Sequence, residues 1–145
     1  MKKFFAIVVC GVMLLASSLC LAAVDAGKIA LGGIYPGMPE GELLNVAGQP
    51  QYRNDDDWHY ANFVVEVEHG IVEKVTTYNG AVSTPAGVHV GQAADILNST
   101  YGSADKVDHD YNDVEYEYYS NDYKRKIEFK VVGGVIVKIE CHLRN

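Results

Sequence analysis

The densest chemistry in the chain lies between Asp105 and Glu117, where Asp105, Asp108, Asp110, Asp113, Glu115 and Glu117 fall within one short segment. Asp108-His109-Asp110-Tyr111-Asn112 echoes the start of a calcium loop, whose alternate oxygen ligands surround a hard cation. Asp108, Asp110 and Asn112 are therefore the candidate metal ligands. The echo then breaks: Asp113 stands where the sharp turn needs glycine, and Tyr119 stands where a bidentate glutamate should close the cage. A solvated acidic hairpin is the expectation, with no metal and no cofactor. His59, His69, His89, His109 and His142 show no recognised ligand spacing. Nor is there a G-x-S-x-G elbow, a phosphate loop or a dinucleotide fingerprint. Cys141 alternates with Val137 and Ile139 and reads as a small buried hydrophobe, not as a nucleophile. No nucleophile–base set can be assembled, so no enzyme is expected.

The aromatic residues are the stronger signal. The chain has ten Tyr, one Trp and four Phe. Tyr111, Tyr116, Tyr118, Tyr119 and Tyr123 crowd one region, and Trp58 and Tyr60 occupy a second. Tyr and Trp bury large areas at low entropic cost, which suits a protein-binding face. Trp58, Tyr60, Tyr116, Tyr118 and Tyr119 are therefore the candidate partner-binding residues. Parity alone leaves open whether they point outward or at the helices.

Such residues need an element to carry them, and period-two patterning supplies it. Val114, Tyr116 and Tyr118 alternate with Glu115, Glu117 and Tyr119; Ile127, Phe129 and Val131 alternate with Glu128, Lys130 and Val132. Val135, Val137, Ile139, Cys141 and Leu143 likewise alternate with Ile136, Lys138, Glu140 and His142. This predicts antiparallel strands with one covered face. Gly133-Gly134 and His69-Gly70 predict hairpin turns. A strand is also expected over 28–34, and helices over about 39–47 and 92–101. Each helix stops at a glycine, Gly48 or Gly102.

These elements come twice. Gly33, Gly37 and Gly48 match Gly87, Gly91 and Gly102 at a displacement of 54 residues, and Leu43 matches Leu97. Later, Val65 to Val75 resembles Phe129 to Ile139 at a displacement of 64, so the second copy carries ten more residues. The expected organisation is a signal peptide over 1–23 and one α+β domain over 24–145. Within it, repeat one covers about 28–78, a linker 79–86, and repeat two about 87–143. Each repeat packs a short helix on antiparallel strands, with both helices on one face of the sheet.

Composition bounds the partner. The chain has 145 residues, 12 Lys+Arg against 19 Asp+Glu, and a formal charge of −7. Removing the leader takes away Lys2 and Lys3 and no acid, so the remainder is more acidic still. That excludes a nucleic-acid binder held by phosphate contacts. Lys2 and Lys3, the apolar run Phe4 to Leu15 and the small residues before Ala23 read as a secretory leader. The predicted location is periplasmic or secreted, with no membrane span once the leader is gone. Leu19 before Cys20 argues against lipid anchoring there. Cys10 and Cys20 lie in the leader, leaving Cys141 alone and no internal disulfide.

The stretch Gly33-Ile34-Tyr35-Pro36-Gly37-Met38, the helix ending at Gly48-Gln49-Pro50, the strand Trp58-His59-Tyr60 and the turn Gly70-Ile71-Val72 together resemble the beta-lactamase-inhibitor-protein-like pattern. The SmpA/OmlA outer-membrane assembly lipoproteins share that pattern. The second copy matches at Gly87, Val88, Gly91 and Gly102, but carries Gln92 for the methionine and Ser103-Ala104 for Gln-Pro. The resemblance implies small exported α+β units that bind proteins through a helix-backed sheet. The expected function is an exported, non-enzymatic protein-interaction module using an aromatic sheet face, with a partner of basic or mixed charge. The alternative is an envelope protein that binds a cation or small ligand through residues 105–117.

Overall fold

The computed structural model describes residues 23–145. The leader expected over 1–23, with Cys10 and Cys20, lies outside the described residues up to residue 22. The chain forms two short helices, α1 (Glu40–Ala47) and α2 (Ile96–Tyr101). It also forms eight strands: β1 (Tyr52–Asn54), β2 (Asp57–His59), β3 (Val64–Glu68), β4 (Ile71–Thr77), β5 (Lys106–His109), β6 (Val114–Tyr119), β7 (Arg125–Val132) and β8 (Val135–Leu143). The strands make one antiparallel sheet in the order β1-β2-β3-β4-β8-β7-β6-β5. Helix then four-stranded meander occurs twice along the chain, and the two meanders join where β4 pairs with β8.

The matching positions share local geometry. The Gly37 amide donates to the Val72 carbonyl at 2.7 Å, and the Gly91 amide to the Ile136 carbonyl at 2.8 Å. Met38 and Gln92 carbonyls accept from the Val72 and Ile136 amides in return. These bonds strap each pre-helix loop to its central strand. Both helices end on a glycine at positive φ, 74° at Gly48 and 78° at Gly102, a conformation that costs a side-chain-bearing residue about 1–2 kcal/mol.

Leu43 and Leu97 are fully buried in one cluster with Val65, Val75, Phe129 and Ile139. The strand members of that cluster face one side of the sheet. The opposite side is open and polar.

Several expectations need correction. Residues 28–34 are not a strand. Gly32 and Gly33 take φ of 58° and 82° and fold the segment into a tight turn, closed by mutual Leu31–Ile34 backbone bonds of 2.9 Å. Simple alternation fails in β8. A register shift opposite Lys130/Val131 sends Ile136 into the core and leaves Val135 39% exposed. The same irregularity stands at Glu66/Val67, where Val72 and Val75 are both buried. A bulge adds one residue to one strand and flips the phase of everything beyond it. Helix α2 starts at Ile96 instead of 92: the Gln92 carbonyl accepts from the Ile136 amide and the Ala94 amide donates to the Gly134 carbonyl, so this backbone is engaged with β8 and its turn. Residues 79–86 are no loose linker: Val82 and Thr84 are buried, and the Ser83 carbonyl accepts from the Gly32 amide.

Candidate functional site

The aromatic candidates do not share one exposed face. Trp58 and Tyr118 are buried, at 5% and 2% exposure. Tyr60 and Tyr116 are half-buried and pack against the same core. Only Tyr119 alternates to the open face, where the Arg144 guanidinium lies 3.8 Å above its ring. Four of the five therefore point at the helix side, and the expectation of an exposed aromatic face is corrected. The buried rings still carry polar tips. The Tyr60 hydroxyl donates to the Gly48 carbonyl at 3.1 Å, and the Tyr118 hydroxyl to the Gly102 carbonyl at 3.4 Å. Each bond ties a strand to the last carbonyls of the neighbouring helix, which lack intrahelical partners. Burial pushes the Tyr118 and Tyr101 phenols up to about 12. Cys141 is fully buried, and burial raises its thiol well above the ordinary range, which suits a core residue and not a nucleophile.

The acidic hairpin β5–β6 spends its carboxylates separately. Asp108 pairs with Lys106 at 2.7 Å, Asp110 caps its own turn through the Tyr111 amide at 2.7 Å, and Asp113 pairs with Lys130 at 3.1 Å. Asn112 is exposed. Among the described residues the acids and histidine of this hairpin form no three-ligand group.

The carboxylates that do converge lie at the centre of the open face. The register sets Glu117 opposite Glu128, and Glu128 opposite Glu140, on three adjacent strands. Like charges directly opposite destabilise a sheet, so this row needs cations. Lys126 supplies one, 2.6 Å from Glu128 and 3.3 Å from Glu117. Lys138 lies 3.7 Å from Glu140 Oε2, and the Thr76 hydroxyl donates to that oxygen at 3.0 Å. His142 Nε2 lies 3.1 Å from Glu128 Oε1 and 3.9 Å from Glu140 Oε1. The hydrogen bond from His142, helped by Lys126 and opposed by burial, holds the Glu128 carboxyl down at about 2. Hydrogen bonding to Glu128 and the charge of Glu117 raise Lys126 against the opposing pull of burial. Side chains here are only 13–22% exposed, since flanking strands crowd them on both sides.

Glu128, Glu140 and His142 thus offer one nitrogen and two carboxylate oxygens, all within 4.8 Å of one another. Among the described residues they are the group able to hold a metal ion. Charge density along the sequence is highest over residues 105–117 and does not mark these three. Glu140 and His142, two apart on one strand face, were the available signal; Glu128 joins them only through the β7–β8 register.

No protein-family model matches the chain, and no curated protein matches it. Among solved structures, the fold is similar to a DUF4309 family protein (YjgB) from Bacillus subtilis, with a TM-score of 0.51 and 10% identity over 73% of this chain and 78% of that one. It is also similar to an extracellular protein containing an SCP domain from Bacillus anthracis, with a TM-score of 0.49 and 11% identity over 74% of this chain and 43% of that one. At such identities the first likeness shows the fold alone. It also overturns the resemblance to the beta-lactamase-inhibitor-protein-like and SmpA/OmlA pattern, which rested on short glycine motifs. Among the described residues no helix is long and apolar enough to cross a membrane. What the comparisons and the geometry establish together is an α+β chain with one eight-stranded antiparallel sheet, two short helices and an open charged face.

Proposed function

We propose that this chain is an exported, non-enzymatic protein-binding module, and that its binding surface is the open face of the sheet instead of the aromatic side. One observation carries the reading. The helix face is closed by α1, α2 and the 79–90 segment, whereas the central strands of the opposite face present alternating charges, with Lys74 on Glu66, Lys126 on Glu128 and Lys138 on Glu140. Opposed charge patterns steer a partner and fix its register, which favours a protein surface of mixed charge. Tyr119 under Arg144 gives this face an aromatic contact at its margin. Export rests on the leader-like residues 1–23, and the non-enzymatic reading on the lack of a recognisable nucleophile–base set in the sequence. The matched glycines, bulges and hydrogen bonds of the two halves favour an origin by duplication.

The test is capture from the exported fraction of the producing cell, compared between wild type and Lys74→Glu/Lys126→Glu/Lys138→Glu. Tyr111→Ala, at a hairpin tip that is 95% exposed, serves as control. A defined partner should bind wild type and the control, release as salt rises, and be lost by the triple variant. Equal capture by the folded triple variant would remove the open face from consideration.

A further inference from the structure

We propose that Glu128, Glu140 and His142 form a site for one divalent transition-metal ion of the zinc class. The donors have the right chemistry. An imidazole nitrogen with two carboxylate oxygens suits a borderline cation, whereas calcium and magnesium take oxygen shells. They also have nearly the right spacing. Ligands of a tetrahedral zinc ion stand about 3.3 Å apart, given metal–ligand distances of about 2.0–2.2 Å. His142 Nε2 is 3.1 Å from Glu128 Oε1 and 3.9 Å from Glu140 Oε1. All three donor atoms lie within 4.8 Å of one another, so an ion would draw the side chains together and displace the Lys126 ammonium, which lies 2.6 Å from the same Glu128 Oε1.

The surroundings orient the donors. Thr76 and Lys138 both engage Glu140 through Oε2, which turns Oε1 toward His142. Such outer contacts aim ligands and sharpen affinity. The strands involved, β7 and β8, lie inside the sheet with neighbours on both sides, so the spacing is held by the ladder.

A second observation stands apart from the donors themselves. At a displacement of 64 residues, the matching positions in the first half are Val64, Thr76 and Tyr78. The first meander has the same strand order and a bulge at the matching position, and carries no carboxylate or imidazole at any of the three, of which Tyr78 lies just past the end of β4. The fold therefore does not call for Glu128, Glu140 and His142. Nor does it call for the row of opposed glutamates, Glu117–Glu128–Glu140, whose repulsion requires cations close by.

The experiment is calorimetric titration of the chelator-stripped protein with Zn2+ alone, and separately with Ca2+ and Mg2+. Zn2+ should bind one equivalent, at least about a hundredfold more tightly than either alkaline-earth ion. His142→Gln and Glu140→Gln should each weaken it about tenfold or more, and Asp110→Asn in the acidic hairpin should leave it unchanged. Cu2+ at one equivalent should show coupling to a single imidazole nitrogen, lost in His142→Gln. Absence of stoichiometric Zn2+ binding, or binding retained by His142→Gln, overturns the site, as does Ca2+ binding of equal strength. Circular dichroism checks each variant, and if His142→Gln does not fold, Glu140→Gln and Glu128→Gln carry the test. Lys126 and Lys138 contact the same carboxylates, so the two readings are told apart through His142→Gln, which should abolish zinc binding while leaving partner capture in chelator unchanged.

Discussion

In the first half of the sheet, Val64, Thr76 and Tyr78 hold the positions that Glu128, Glu140 and His142 hold in the second. The first set, with Tyr60, Asn62 and Phe63, lines a shallow groove, and the Tyr60 and Phe63 rings stack at 4.7 Å. The second set is a half-buried cluster of charges. Beneath them the backbone repeats closely. Gly70 and Gly134 both have φ of 77°, and each ladder shifts register at the matching residue. Thr76 even pairs with Glu140, its own counterpart, across the β4–β8 junction. The difference teaches that turns, bulges and core leucines define this fold, while the open face is free to carry chemistry. If that separation is real, core substitutions in the two halves should cost alike and open-face substitutions should not.

The largest effects test the shared core. Leu43 and Leu97 are matching residues, exposed 0% and 1%, in helices of different length. Truncation to alanine removes buried methyl groups and leaves a cavity that rigid neighbours fill only in part. Leu43→Ala and Leu97→Ala should each cost about 2–5 kcal/mol in urea unfolding, and the two costs should agree within about 1 kcal/mol. A Leu97→Ala cost below about 1 kcal/mol would show that the six-residue helix is peripheral and the halves are not energetically matched.

Much of this plan was legible in the sequence, and the failures have physical causes. The alternation of Ile127, Phe129 and Val131 marked β7 correctly, and the Gly133-Gly134 and His69-Gly70 hairpins were plain. Gly48 and Gly102 marked the helix ends. Strict period two does not show the bulges in β4 and β8. The spacing of three between Val72 and Val75, repeated between Ile136 and Ile139, was the signal of an extra residue. Alternation groups Trp58 and Tyr118 by face without saying which face the helices cover, so their burial is not legible in the sequence. The Glu128–Glu140–His142 cluster is created by cross-strand register. Charge counting along the chain favours Asp105–Glu117 instead, where the acids are neighbours in sequence yet take separate partners.

The acid limb of stability should separate the halves next. Glu128 falls from an ordinary 4.5 to about 2 in the folded protein through its hydrogen bond with His142 and its contact with Lys126. The unfolded chain therefore binds this proton more readily than the folded one. The associated stability is present above about pH 4.5 and is lost as pH falls toward about 2. Allowing for solvent screening, it amounts to about 1–2 kcal/mol. Val64, the counterpart, has nothing to titrate. With chelator present, wild type should lose about that much more stability than Glu128→Gln between pH 5 and pH 2.5. Parallel losses would mean that the Glu128 contacts add nothing to the fold.

The smallest effect is the most discriminating, because it compares one bond made twice. Tyr60 stands opposite Phe63 as Tyr118 stands opposite Ile127, and each hydroxyl donates to the carbonyl of its helix-ending glycine. The surroundings differ. Tyr118 is 2% exposed and sits among Tyr101 and Phe129 rings, whereas Tyr60 lies at the half-open end of β2. Removing the hydroxyl from Tyr118 leaves the half-buried Gly102 carbonyl with one partner fewer. The Gly48 carbonyl can turn to solvent. Tyr118→Phe should therefore cost about 1 kcal/mol, and Tyr60→Phe about half of that or less. Geometry alone argues the other way, since the Tyr60 bond is the shorter, 3.1 Å against 3.4 Å. Urea unfolding of both single variants decides between burial and bond length. A larger loss for Tyr60→Phe would mean that the first half depends on this tie more than its buried counterpart does, and would break the equivalence at the point where the two halves look most alike.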